Sequence, residues 1–145
     1  MFYDSVVPQD VPAGQEVATY ADGARPVPAS AVAGRQKVLW IDVTGGDIAA
    51  QAIDVEPGNA SPAAAASWAE RKLTAQPKAL AIIYTSISEW SAVKADVAAL
   101  PASMRSRIRW WIADPTGTPH LVPGSSATQW YWGPEYDISL ASPQF

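Results

Sequence analysis

A chain of 145 residues suits one domain, and 48% hydrophobic against 17% charged residues supplies a real core and excludes a disordered chain. The net charge of −4 and the lack of any Lys/Arg stripe argue against nucleic acid and against an anionic membrane surface as partners. Cysteine is absent and His120 is the sole histidine, which removes disulfides, thiolate or multi-histidine metal sites, and a serine–histidine triad with a choice of bases.

The N-terminus, Met-Phe-Tyr-Asp-Ser, has no basic n-region and no long apolar h-region, so no signal peptide is expected. Phe2 to Val6 reads as a strand stopped by Pro8 and Pro12. Glu16 to Asp22 is a second, with Val17, Thr19 and Ala21 alternating against Ala18 and Tyr20. Val38 to Val43 is a β-branched third strand, ended by Thr44-Gly45-Gly46, and Ala52 to Glu56 is the fourth. Ser61-Pro62 supplies an N-cap and an N1 proline for a helix over 62–75, which should bury Ala65, Trp68, Ala69 and Leu73 and expose Glu70, Arg71 and Lys72. Ala79 to Thr85 is a continuous apolar run, as in a strand covered on both faces. Ser86-Ile87-Ser88-Glu89 fits a capping box, opening a helix with Trp90, Val93, Val97 and Leu100 on one side. Ile108 to Asp114, Thr128 to Trp132 and Tyr136 to Leu140 complete the strands. Strands alternating with helices imply parallel pairing and a single α/β domain over 1–145.

Ile53-Asp54-Val55-Glu56 carries the densest chemistry. Alternation on a strand puts Asp54 and Glu56 on one face, with Cα atoms roughly 6.6 Å apart. Carboxylates that close disfavour joint ionisation, so one pKa should rise, and a protonated carboxyl beside an ionised one is what glycoside hydrolysis uses. The plain alternative is a pair of solvated acids. Against it stands recurrence: Asp4, Tyr20, Asp42, Asp54, Glu56, Tyr84, Asp114, Gln129 and Asp137 all fall at strand ends. Parallel strands closed into a barrel gather their C-terminal ends at one face, where sites are built. Asp4, Asp54, Glu56 and Asp137 should therefore meet in one depression, with Glu56 the most buried and most perturbed. Seven tryptophans add a carbohydrate signature, since flat rings cover the C–H faces of sugars. Core packing accounts for Trp68 and Trp90. Trp110 and Trp111 are adjacent, so only one can line a cleft, and Trp111 is the candidate. Asp114 opens a turn, Asp-Pro-Thr-Gly, and capping that turn is an equal role for it.

Asp4, Asp54-Val55-Glu56, Ile82-Ile83-Tyr84-Thr85, Trp111-Ile112-Ala113-Asp114, Gln129-Trp130-Tyr131 and Tyr136-Asp137-Ile138-Ser139 occur in an order that resembles the family 25 glycoside hydrolases, the Chalaropsis-type lysozymes of phage lysins and bacterial muramidases. The likeness covers most of the chain and is nearest to short actinobacterial and actinophage members. It implies a compact, irregular TIM-like β/α barrel with fewer helices than strands. It implies cleavage of peptidoglycan between N-acetylmuramic acid and N-acetylglucosamine, with no cofactor or metal. Glu56 would be the proton donor, flanked by Asp4 and Asp54. Tyr20, Asp42, Tyr84, Trp111, Asp114, Gln129 and Asp137 would contact substrate. The setting implied is phage-encoded: cytoplasmic until lysis, or virion-associated. Two departures stand out: the region between Thr19 and Asp54 is compressed, and Ser139 replaces the family's last-strand asparagine. The other reading is a catalytically inactive barrel that binds saccharide or serves as a phage structural or accessory part.

Overall fold

Why these segments become strands is visible in where their side chains go. In the computed structural model, which describes residues 1–145, β1 (Phe2–Asp4), β2 (Val17–Tyr20), β3 (Val38–Asp42), β4 (Ala52–Val55), β5 (Ala81–Ser86), β6 (Ile108–Ala113), β7 (Ala127–Tyr131) and β8 (Asp137–Ala141) form one closed barrel in chain order. Each strand puts alternate residues inside. Phe2, Ala18, Leu39, Ile41, Ala52, Ile82, Trp111 and Ala127 pack together in the lumen. The intervening residues face outward, where Ile53, Val55, Ala81, Ile83 and Ile108 meet the helices α1 (Pro62–Ala75) and α2 (Trp90–Val97).

β1 to β7 are parallel, as the alternation predicts, but β8 runs antiparallel to both β7 and β1. Residues 132–136 are too few for a crossover, so the chain returns as a hairpin. Helices cover only part of the barrel. α1 joins β4 to β5, α2 and the single turn α3 (Ala102–Arg105) join β5 to β6, and short 3-10 turns at Pro8–Asp10 and Ala29–Val32 serve the earlier connections. No helix is long and apolar enough to cross a membrane.

α1 starts as its sequence predicts: Ser61 Oγ accepts the Ala64 N–H at 3.1 Å, and Pro62 is the first helical residue. Ala65, Trp68, Ala69 and Leu73 are buried. Lys72 corrects the expected exposed face, since it is buried too. Its stem crosses apolar surface, and its Nζ donates to the Ile48 and Ala50 carbonyls at 3.0 and 2.8 Å. The capping box before α2 is half formed: Ser86 Oγ accepts the Glu89 N–H at 3.3 Å, and the helix begins at Trp90.

Two outward threonines tie neighbouring strand ends. Thr19 Oγ1 donates to the Ser5 carbonyl and Thr85 Oγ1 to the Val55 carbonyl, each at 2.8 Å. These bonds fix the rim where Asp4, Asp54 and Glu56 sit.

Candidate functional site

Asp4, Tyr20, Asp54, Tyr84 and Gln129 follow the parity of the lumen residues on their strands and close the interior at its C-terminal end. Asp137 joins them because β8 is antiparallel, so its first residue lies at the rim where the other strands end.

Gln129 is the hub. Its Nε2 donates to both Asp4 oxygens at 3.0 Å and reaches Asp137 Oδ2 at 3.5 Å. Its Oε1 accepts from the Tyr84 hydroxyl at 3.0 Å and from the Trp132 indole N–H. Asp137 also accepts the Gly133 N–H at 3.0 Å. Beneath this layer, Trp111 Nε1 donates to Ser139 Oγ at 2.9 Å. On the other side of the rim, Asn59 Nδ2 donates to Asp54 Oδ2 at 3.0 Å, whereas Asp54 Oδ1 is buried with no partner.

Burial raises all four carboxyls, and neighbouring charges add to it at Asp4, Asp54 and Glu56. Burial pushes Asp4 up to about 7, the Asp137 and Glu56 charges add to this, and the Gln129 amide opposes it. Burial and then the Glu56 charge push Asp54 to about 7 as well, against the Asn59 bond. Glu56 is raised by burial and by Asp137, while the Tyr84 hydroxyl pulls it down. Asp137 is raised by burial, against the Gly133 N–H. Burial, with the surrounding acids, lifts the Tyr20 and Tyr84 hydroxyls above their ordinary range, so both stay neutral.

The four acids share the rim, but the expectation of one depression with Glu56 deepest and most perturbed is not met, since the largest shifts fall on Asp4 and Asp54. Glu56 is not the most buried member: Asp4 and Asp54 are 5% and 3% exposed, whereas Glu56 lies one residue beyond β4 and is half-buried. Nor does one depression hold all four. Glu56 opens into a shallow hollow of about 250 Å³ formed by the β4–α1 loop, with Glu89 on its other side.

Three expected contact residues lie elsewhere. Asp42 has the parity of Trp40 and faces outward. Its Oδ1 accepts from the backbone of Thr44 and Gly45 at 2.7 and 2.8 Å, and its Oδ2 from the backbone of Asp47 at 2.8 Å. Gly45 makes this turn possible at φ +81°. Asp114 also has outward parity, with Ile112, and pairs with His120 Nε2 at 2.9 Å. Trp111 does point inward but is wholly buried among Phe2, Tyr84 and Phe145, below the layer a ligand at the rim would touch. Applying the alternation of β3 and β6 to Asp42 and Asp114 would have excluded both.

The residues missed were Asn59, Ser139 and the bonding of Trp132. Asn59 follows the Pro57-Gly58 turn and has no strand phase to reveal it. No group of three or more acids or histidines is arranged to hold a metal ion. Comparison with protein-family models, with curated proteins and with solved structures finds no match.

Proposed function

We propose that this protein is a peptidoglycan-directed glycoside hydrolase of the N-acetylmuramidase, lysozyme-like kind, built on a compact TIM-like barrel. The observation that carries the reading is the pairing of Asp54 and Glu56: one buried carboxyl with a pKa of about 7, coupled to a second that remains reachable from solvent. Such a pair favours a state in which one carboxyl is protonated while the other is ionised, because the Glu56 charge raises Asp54. It thereby supplies an acid and an ionised partner together, as two-carboxylate glycosidases require.

On this reading Glu56 protonates the leaving glycosidic oxygen and then, ionised, takes a proton from the attacking water. Asp54, in the state where the proton rests on Glu56, or the substrate's own acetamido group, stabilises the oxocarbenium-like centre. Asp4 and Asp137, held by Gln129, favour the positive transition state to the extent that they are ionised. Peptidoglycan or a related glycan is then the partner, and the setting is a phage lysin, cytoplasmic until lysis or carried on the virion.

Burial of Asp4 and Asp54, with a hollow that reaches only Glu56, favours a second reading, a barrel that binds saccharide without cleaving it. One experiment separates the two. The parent protein should release reducing sugar from purified bacterial cell walls, and Glu56→Gln, which keeps the shape and removes the transferable proton, should lower that rate by at least about a hundredfold. Binding to walls without any release by the parent would make the second reading the right one. Near-parent hydrolysis by Glu56→Gln would remove Glu56 from the acid's role.

A further inference from the structure

β7 departs from regular pairing where it reaches the rim. Gln129 lies opposite Ser139, but Tyr131 lies opposite Ile138, so Trp130 is an extra residue in the ladder. The bulge reverses the phase of every residue after it. Ile138 faces outward between inward Asp137 and Ser139, and Tyr131 now shares its side. Trp132 is thereby returned to the side of Gln129 and Asp137; without the extra residue it would face away from the acids.

The re-aimed indole is anchored at one point only. Its Nε1–H donates to Gln129 Oε1, while the residue remains 58% exposed. Gln129 is itself buried and bonded to Asp4, so the tether ends on the acid cluster. The loop leaving the ring is fixed as well. Gly133 donates to Asp137, and a Cβ at Gly133 would stand 2.4 Å from the Tyr136 carbonyl oxygen, so the chain can make this turn only because that atom is missing. A large exposed ring with its polar edge already bonded inward presents apolar surface to solvent.

We propose that Trp132 is a stacking platform for one pyranose ring of a β-1,4-linked N-acetylated glycan, held beside the acids by Gln129. This rests on the glycosidase reading above and extends it to a binding subsite. The C–H face of the sugar covers the indole, and its hydroxyl edge turns toward the carboxyl rim. The tether removes most of the side chain's freedom before the ligand arrives, which lowers the entropic cost of binding.

The test uses chitotetraose as probe, titrated into Glu56→Gln so that the sugar stays intact. Adding Trp132→Ala should weaken binding roughly tenfold or more, and Trp132→Phe, which keeps a ring, should recover most of the loss. Melting temperatures should stay near that of Glu56→Gln, because the ring is largely exposed. Equal affinity with and without Trp132→Ala overturns the platform and leaves the glycan reading standing. Absence of any chitotetraose binding by Glu56→Gln also overturns the platform, and sugar release from walls by the parent then decides separately whether the glycosidase reading survives.

Discussion

Asp42 and Asp54 each end or nearly end a barrel strand with a buried carboxyl, yet their surroundings set them at opposite ends of the acid scale. Burial alone would raise Asp42, but the adjacent Asp22 carboxyl and the N–H groups of Thr44, Asp47 and Gly45 outweigh it and hold Asp42 below the ordinary range. Asp22 takes the complementary shift, raised by burial and by Asp42. Asp54 has only the Asn59 amide to set against burial and a neighbouring charge. The first arrangement stabilises a turn, and the second keeps a carboxyl protonated beside Glu56. A raised stability cost is accordingly expected for Asp42→Ala, on the order of 2–3 kcal/mol, because three backbone N–H groups lose their acceptor. The Asp42 contribution is present above roughly pH 4 and is lost as pH falls through its lowered pKa. Chemical denaturation at pH 7 and pH 3 measures both; equal stability of parent and variant at pH 7 would refute the anchoring role.

At the scale of elements, the β7–β8 hairpin does what no other connection does. It closes the barrel, reverses chain direction and so brings Asp137 to the rim on the first residue of a strand. Its bulge re-aims Trp132, and Gly133 bonds Asp137. The helices contribute differently: α1 and α2 cover the outer face of β4 and β5 and touch no acid of the rim through a hydrogen bond. Gly133→Ala therefore has a specific expected effect. The new Cβ would meet backbone at 2.4 Å and the Tyr131 ring at 2.9 Å, so the hairpin must shift. Such overpacking costs about 1–3 kcal/mol, and it displaces Asp137. A lowered melting temperature together with reduced wall hydrolysis is the outcome; an unchanged melting temperature would show that the turn relaxes freely.

For the whole molecule, gathering carboxyls at one rim makes folding sensitive to pH. Asp54 holds its proton up to about pH 7 when folded, against about 3.9 in an unfolded chain. Below roughly pH 4 both states are protonated and nothing is lost. As pH rises from there to 7 the unfolded chain ionises first, so stability falls through that window and then levels. Three units correspond to at most about 4 kcal/mol, and Asp4 acts in the same direction. Asp54→Asn keeps the shape and cannot ionise, and its Oδ1 can still accept the Asn59 amide N–H. It should melt higher than the parent at pH 8, with the difference closing toward pH 4. A difference independent of pH would mean that Asp54 is ionised normally in the folded chain.

What the sequence determined by itself is what short-range rules govern. Strand and helix positions followed from β-branched runs, prolines and a Ser-Pro cap, and α1 begins at Pro62 and ends at Ala75 as its residues predict. The meeting of Asp4, Asp54 and Glu56 was also legible, because acids recurring at the ends of parallel strands share a rim once the strands close into a barrel; Asp137, the first residue of its strand, joins them only because β8 reverses. Parity along β3 and β6 was available too and would have turned Asp42 and Asp114 outward. Tertiary structure alone decided the rest. The reversal of β8 depends on how the last gap in the barrel closes. The burial order that puts Asp4 and Asp54 below Glu56 depends on the packing of every strand. The bulge at Trp130 is a mismatch between two strands, and no local pattern in either one records it. Periodicity reports which face a residue takes within its own strand; depth, direction and register are properties of the neighbours it meets.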